Sequence, residues 1–373
     1  MKEARRRRFR LPRANLVTLV FLCLGVACGT YLLREKVVEA CHIPTPSMEP
    51  TLMGDEECGD RVFVNKLAFV LGEPHRFQVA VFVRDGEETN YIKRIVGMPR
   101  ETILIRNGDL YVNGEILRKS QAVIHELSVP VHVGATVAEL NRQWDVVSGQ
   151  VRDAPGGLVL EGHGDIPLRL RLRDEVRDAY VNEHGGTIPG TKGVGDLRMT
   201  LEDLVATRGS RVLVRMREGN DQLEWRLDER EAIATLNGRV LLRSGTGILA
   251  NTAHTLTLSN YDDRMSIEGV GEVLQGDYHG GLTRGPRENE VEIVVEGPGA
   301  QLRRLRLDRD IYYTETGRLG VETVHTVDDD SYFLLGDNSR DSRDSRAWGD
   351  VSRKNLVGAP FMIFWPLKRF RLL

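Results

Sequence analysis

Ser47 stands in Cys41–Leu52 (CHIPTPSMEPTL), with prolines at 44, 46 and 50 around it. A serine hydroxyl is a poor nucleophile until a base takes its proton. The nearby imidazoles, His42 and His75, have no patterned acidic partner. Lys93 lies in Tyr91–Val96 (YIKRIV), where strand alternation sets it on the face shared by Tyr91 and Ile95. A lysine on an apolar face loses hydration and its pKa falls. Its neutral amine can then act as general base, a known variant of the Ser-His-Asp arrangement. Plainer readings stand beside these. A strand lysine also reaches past the sheet edge to water, and three prolines that fix φ and remove donors make a rigid turn without chemistry.

The elements before Ser47 decide where its hydroxyl sits. Ala14–Leu33 is uncharged and follows a tail holding Lys2, Arg5, Arg6, Arg7, Arg8, Arg10 and Arg13 against Glu3 alone. About 20 apolar residues at 1.5 Å each cross a hydrocarbon core roughly 30 Å thick. The basic flank stays cytoplasmic by the positive-inside rule. Residues 1–13 are therefore expected as a cytoplasmic tail and 14–33 as a single transmembrane helix. The rest is expected on the outer side of the cell inner (plasma) membrane, with Ser47 close to the bilayer. A cleaved secretory signal is the rival reading. Val26–Cys28 (VAC) is a weak lipoprotein-like site, but Gly25 stands where a larger aliphatic residue belongs, and the run exceeds a usual signal core.

The whole chain of 373 residues carries 51 Lys+Arg against 54 Asp+Glu, a balance that gives no reason to expect nucleic acid as partner. Its 38 glycines and scarce helical periodicity favour β structure beyond the apolar segment. Four cysteines are too few for a disulfide framework, and no Cys/His spacing suggests zinc. The pairing of Cys41 with Cys58 stays open. Asp60–Lys66, Phe77–Val83 and Tyr91–Val96 read as strands, and Ile103–Leu117 as hairpins with turns at Asn107-Gly108 and Asn113-Gly114. From Gln121 to Gly317, strand-length runs such as Arg211–Arg215, His254–Leu258, Val291–Val295 and Leu302–Leu307 alternate with Gly, Asn and Asp, in the manner of a β-sandwich. Leu201–Ala206 alone suggests a helical turn. Leu356–Leu367 is an apolar run broken by Pro360 and Pro366, expected as a core strand or a membrane-surface edge.

Four segments together resemble bacterial signal peptidase I, the membrane-anchored Ser/Lys leader peptidase: Ile43–Leu52, Gly59–Lys66, Tyr91–Pro99 and Gly336–Arg346 (GDNSRDSRDSR). The resemblance implies no metal or other cofactor. It makes Ser47 the nucleophile and Lys93 the general base. Thr45 takes the position whose hydroxyl joins the Ser47 N–H in the oxyanion hole, and Ser342 the one that orients the Lys93 amine. Asp344 and Arg346 become a supporting ion pair. Ile43, Met48, Tyr91 and Ile92 match positions lining shallow pockets for the substrate's −1 and −3 side chains. The substrates implied are preproteins, cleaved after small residues to release their signal peptides, and the lipid bilayer is a second partner. Pro99-Arg100-Glu101 replaces the usual Pro-Gly-Asp, and Ser339 stands where Arg often follows the GDN.

The fold so expected is mainly β: a transmembrane helix, a signal-peptidase-type antiparallel catalytic core in two parts (34–120 and 318–373), and an inserted jelly-roll-like sandwich over 121–317. Trp144–Val147 and Gly156–Leu160 resemble the opening of concanavalin- or laminin-G-like jelly rolls. The insert is expected either to bind a glycan or protein ligand or to be an elaboration without one. An anchored binding protein with a vestigial protease core is the rival function.

Overall fold

The structure is a computed structural model that describes residues 36–181, 184, 186–280 and 289–373, with residue 21 in isolation. The expected cytoplasmic tail (1–13) and transmembrane segment (14–33) lie outside the described residues, apart from that one position. Among the described residues no helix is long and apolar enough to cross a membrane.

The protein is mainly β, and its named strand pairs are all antiparallel. One eight-stranded sheet draws on both sequence parts that flank the insert. Its strands run in the order Val38–His42, Arg61–Asn65, Leu356–Trp365, Val79–Val83, Asn90–Gly97, Ser331–Leu335 and Val351–Ser352, with Arg371–Leu372 beside Leu356–Trp365. The apolar run near the C-terminus thus joins two N-terminal strands, its Met362 opposite Phe63 and its Gly358 opposite Val81. A smaller sheet contains the hairpins Thr102–Arg106, Asp109–Val112 and Glu115–Ile116. Both Asn-Gly turns have positive φ at each residue, 53° and 93° at Asn107-Gly108 and 53° and 86° at Asn113-Gly114. That is the geometry which makes Asn-Gly a hairpin signal.

The intervening residues form two sheets, of nine and seven strands, facing each other across one apolar core, and a separate two-stranded pair, Tyr180–Val181 with Thr187–Ile188. Met199, Leu258 and Leu307 come from one sheet, and Val214, Trp225 and Val291 from the other. The Trp225 indole N–H reaches Ser266 O at 3.0 Å, so a large ring is buried with its donor satisfied. This core runs from Leu140 to Leu307. Leu127, Val129, Ile311 and Tyr313 instead pack with Ile103 and Phe333, so the stems of the insert share a core with strands that flank it in sequence.

Leu201–Ala206 is not helical. It belongs to the strand Leu197–Ala206, which pairs with Ala253–Tyr261. A register shift lies between Leu201 and Leu204, and Asp203 has φ of 51°. The bulge changes the spacing of core residues from two to three, so Leu201 and Leu204 both face inward and imitate helical periodicity. The expected strand Leu302–Leu307 is likewise two strands, Ala300–Leu302 and Arg304–Arg309.

Candidate active site

Ser47 is carried on a single 3₁₀ turn, Pro46–Met48, started by a proline whose missing N–H costs nothing at a first turn. Met48 is fully buried and packs with Ile43, Leu52, Val62, Val64, Val81 and Ile363, with Ile92 against their edge. That apolar anchor fixes the turn from below. Lys93 comes from the central strand Asn90–Gly97, where it lies opposite Ala80. Its amine is 2.7 Å from Ser47 Oγ and donates to Ile92 O at 2.8 Å. Ser47 is 6% exposed and Lys93 4%.

Burial lowers the Lys93 pKa to about 8; the Asp344 and Asp337 carboxylates oppose that fall, and Arg346 adds to it. At a pKa of about 8, roughly a tenth of this amine is uncharged at pH 7 and about half at pH 8. In that form its lone pair can accept a proton from Ser47 Oγ, 2.7 Å away.

The turn is clasped by the segment Gly336–Arg346. The Asn338 backbone N–H donates to Ser47 O at 3.2 Å, and its side-chain amide donates to Pro46 O at 3.0 Å. Gly336 permits this approach, because a Cβ there would collide with Ser47 O and Ser342 Oγ. The Asp344–Arg346 pair is bidentate, Nε to Oδ1 at 2.8 Å and Nη2 to Oδ2 at 2.7 Å. Arg346 also donates to Thr314 O, Ser339 Oγ and Ser339 O, while Asp344 accepts from Gly336 N. The ion pair therefore holds the loop's shape without touching Ser47 or Lys93.

Other expected residues are placed less simply. Thr45 Oγ1 lies 3.4 Å from Ser47 Oγ, next to the reacting atom. Ser342 does not bond the Lys93 amine: its hydroxyl is buried without a hydrogen-bond partner, while Lys93 bonds Ser47 and the carbonyl of its own neighbour Ile92. Ile43, Met48 and Ile92 share one apolar cluster. Tyr91 sits in another, stacked 5.8 Å from Phe82 and donating to Glu87.

Three contributors were not foreseen. Arg94 and Asp337 form a fully buried bidentate pair at 2.8 Å for both bonds. Burial alone would lower the Arg94 pKa, but the Asp337 carboxylate holds it above its ordinary value. Arg94 also ties Phe77 O and Glu126, and Asp337 accepts from Thr51 at 2.5 Å. Tyr180, from the insert, accepts from the Asn338 amide at 2.9 Å. Arg94 and Asp337 lay inside quoted motifs, beside Lys93 and within the GDN, whereas nothing local marks Tyr180.

Among the described residues two groups have metal-ligand spacing: Asp55, Cys58 and His184, and the buried Asp109, Asp196 and Asp262. One member of the second, Asp262, already accepts from Lys119 at 2.5 Å, and the same amine bonds Asp310, outside the group, at 2.7 Å. Cys41 and Cys58 are not joined to each other.

The chain matches the family described as signal peptidase, peptidase S26, over residues 13–151 and 289–365, more than half its length. The unmatched interval falls within the sandwich. A probable signal peptidase I-2 of Synechocystis is 35% identical over 109 residues, 28% of this chain and 45% of the relative. Signal peptidase I P of Bacillus subtilis subsp. natto is 29% identical over 31% of this chain and 62% of its own, and signal peptidase I of Pseudomonas aeruginosa 40% identical over 23% and 34%. The chain spans about half the length of the curated relatives it matches. A solved structure, apo Crh5 transglycosylase, covers 61% of the chain and 94% of its own at 15% identity, with a TM-score of 0.35.

Proposed function

The chain belongs to the signal peptidase family, peptidase S26, and from that premise we propose that it is a membrane-bound serine endopeptidase which removes signal peptides from exported preproteins. The observation that carries the reading is the 2.7 Å contact between Ser47 Oγ and a buried Lys93 amine whose pKa is lowered to about 8. Lys93 Nζ accepts the hydroxyl proton as Ser47 Oγ attacks the carbonyl carbon at the cleavage site. The Ser47 N–H and the Thr45 hydroxyl stabilise the oxyanion. The protonated amine then gives its proton to the departing nitrogen, leaving an acyl-enzyme. Lys93 next deprotonates a water, which hydrolyses the ester and restores Ser47.

The substrate binds as an added strand. Ser331–Leu335 pairs with Asn90–Gly97 only from Arg94 onward, so the edge at Asn90–Lys93 has no strand partner there among the described residues. An extended chain can hydrogen-bond to that edge beside the base. Ile43, Met48, Tyr91 and Ile92 bound the −1 and −3 pockets, which admit small side chains. The exposed apolar residues Phe361, Trp365, Leu367, Phe370 and Leu372 support a membrane-facing rim, in keeping with the Ala14–Leu33 span and a cytoplasmic N-terminus. The sandwich is an insertion in the catalytic core, and a glycan or protein ligand for it is a separate matter from the cleavage.

The test uses the full chain in detergent with a preprotein carrying Ala at −3 and −1. The wild type releases the mature chain, and Ser47→Ala and Lys93→Ala each abolish release with unchanged circular dichroism. Undiminished cleavage by either variant removes that residue from the mechanism.

A further inference from the structure

Tyr180 belongs to the insert, yet its hydroxyl lies one hydrogen bond from the residue that grips the nucleophile's turn. Tyr180 is 8% exposed and Asn338 6%. The Asn338 amide nitrogen has two protons. One goes to Pro46 O at 3.0 Å and the other to the Tyr180 oxygen at 2.9 Å. Tyr180 in turn donates to Asp341 Oδ2 at 3.3 Å, which aims its lone pair at Asn338. Burial pushes the phenol pKa up, so it keeps that proton. A second tie joins the same two parts: Arg340 donates to Pro189 O at 2.9 Å, just after the strand Thr187–Ile188 that pairs with Tyr180–Val181.

The consequence follows from peptide geometry. The Pro46–Ser47 bond is trans, so its carbonyl and N–H point in opposite directions across one rigid plane. Whatever holds Pro46 O also aims the Ser47 N–H. Pro46 O accepts from the Glu49 backbone N–H at 3.0 Å within the turn, and Asn338 adds its side-chain amide to the same oxygen and its own backbone N–H to the next carbonyl, Ser47 O. A donor of this kind contributes to rate only when it is oriented before charge develops on the substrate oxygen.

We propose that Tyr180 is a positioning residue of the catalytic site: acting through Asn338, it sets the direction of the Ser47 N–H, so that a two-stranded pair of the insert, apart from the sandwich sheets, completes the oxyanion hole from outside the catalytic core. The inference rests on the proposed peptidase reaction. Removing the phenol oxygen leaves one buried amide proton without its acceptor and lets the Asn338 amide turn away from Pro46 O. Substrate binding and the environment of Lys93 are untouched.

The experiment is steady-state cleavage of a preprotein by the full chain in detergent, comparing wild type, Tyr180→Phe, Asn338→Ala and the double variant. Tyr180→Phe is expected to lower kcat about tenfold, below the 10²–10³ lost with a whole oxyanion donor. KM should stay within about twofold, because the lost interaction is made in the transition state. The midpoint of the acid limb in the pH profile should not move, since Lys93 keeps its surroundings. In the Asn338→Ala background the same substitution should cost nothing further, because the two act as one unit. Additive losses, a change confined to KM, or a fall in melting temperature with kcat intact would each overturn the inference. A wild type that cleaves no preprotein overturns the peptidase reading and this inference with it. A wild type that cleaves while Tyr180→Phe is indistinguishable overturns this inference alone.

Discussion

Lys93 and Lys119 are buried to almost the same degree, 4% and 5% exposed, and differ in what lies against the amine. Lys93 meets a hydroxyl and a backbone carbonyl. Lys119 meets two carboxylates, Asp262 at 2.5 Å and Asp310 at 2.7 Å. Burial disfavours the charge on both. At Lys93 it prevails and the pKa falls to about 8, whereas at Lys119 the two carboxylates reverse it and the pKa rises well above its ordinary value. Carboxylates are present near Lys93 too, but each is engaged by an arginine of its own, Asp344 by Arg346 and Asp337 by Arg94. A buried lysine is thus left able to act as a base when the acids around it are already answered, and held as a cation when they are not.

The comparison breaks most visibly at the reaction. Lys93→Met is expected to lower preprotein turnover by at least about 10³-fold, as loss of either member of a nucleophile–base pair does. Turnover at pH 8 by Lys93→Met within tenfold of wild type would mean that the two lysines are not functionally distinct.

Next in size is the stability of the other site. Lys119→Met leaves Asp262 and Asp310 buried without their cation, and removing one partner of a buried pair costs about 3–5 kcal/mol. Urea denaturation at pH 7 measures it. A loss under 1 kcal/mol would show that the Lys119 cluster is not held together by charge.

Little in the sequence separates these two lysines. Lys93 was legible because its own motif follows, in a recognisable order with three others, the one that sets Ser47 among three prolines. Lys119 sits in an unremarkable Arg118-Lys119-Ser120, and its partners lie 143 and more residues away. The same distance hid Arg94–Asp337 and Tyr180–Asn338, pairs separated by 243 and 158 positions. Local alternation identified the strands that carry Lys93 and the Asn-Gly hairpins, because those depend on neighbours. It failed at Leu201–Ala206, where one bulged residue changed the spacing. Ser342 shows the converse limit, since a motif can name a residue without stating which bond it makes.

A smaller effect has opposite signs at the two sites. In the unfolded chain Lys93 stays charged up to about pH 10.5, while in the folded protein it releases its proton near pH 8. The folded state is therefore penalised below pH 8 and relieved between about 8 and 10.5, a window worth about 3 kcal/mol in total. Lys93→Met removes the penalty and loses hydrogen bonds worth about 1 kcal/mol each. It should be more stable than wild type by about 1–2 kcal/mol at pH 7, with that gain gone above pH 10.5. Lys119, with its raised pKa, contributes stability that is lost only as pH climbs past its ordinary value of 10.5. A wild type whose stability does not rise from pH 8 to 10, relative to Lys93→Met, would refute the lowered pKa.

The finest distinction lies in the carboxylates near Lys93. Asp344 raises the amine's pKa and Arg346 lowers it. Asp344→Asn deletes the first influence and leaves the second without its counter-charge. The retained amide oxygen can replace only Oδ1, which accepts from Arg346 Nε; the NH2 in place of Oδ2 cannot accept from Arg346 Nη2 or Gly336 N, so an unchanged melting temperature is checked alongside the pH profile. The acid limb of kcat/KM should therefore move to lower pH, by less than the whole descent from 10.5 to about 8 that burial already produces. A limb that moves upward would mean that Asp344 depresses the base, and that Lys93 owes its neutral form to something other than burial beside already paired acids.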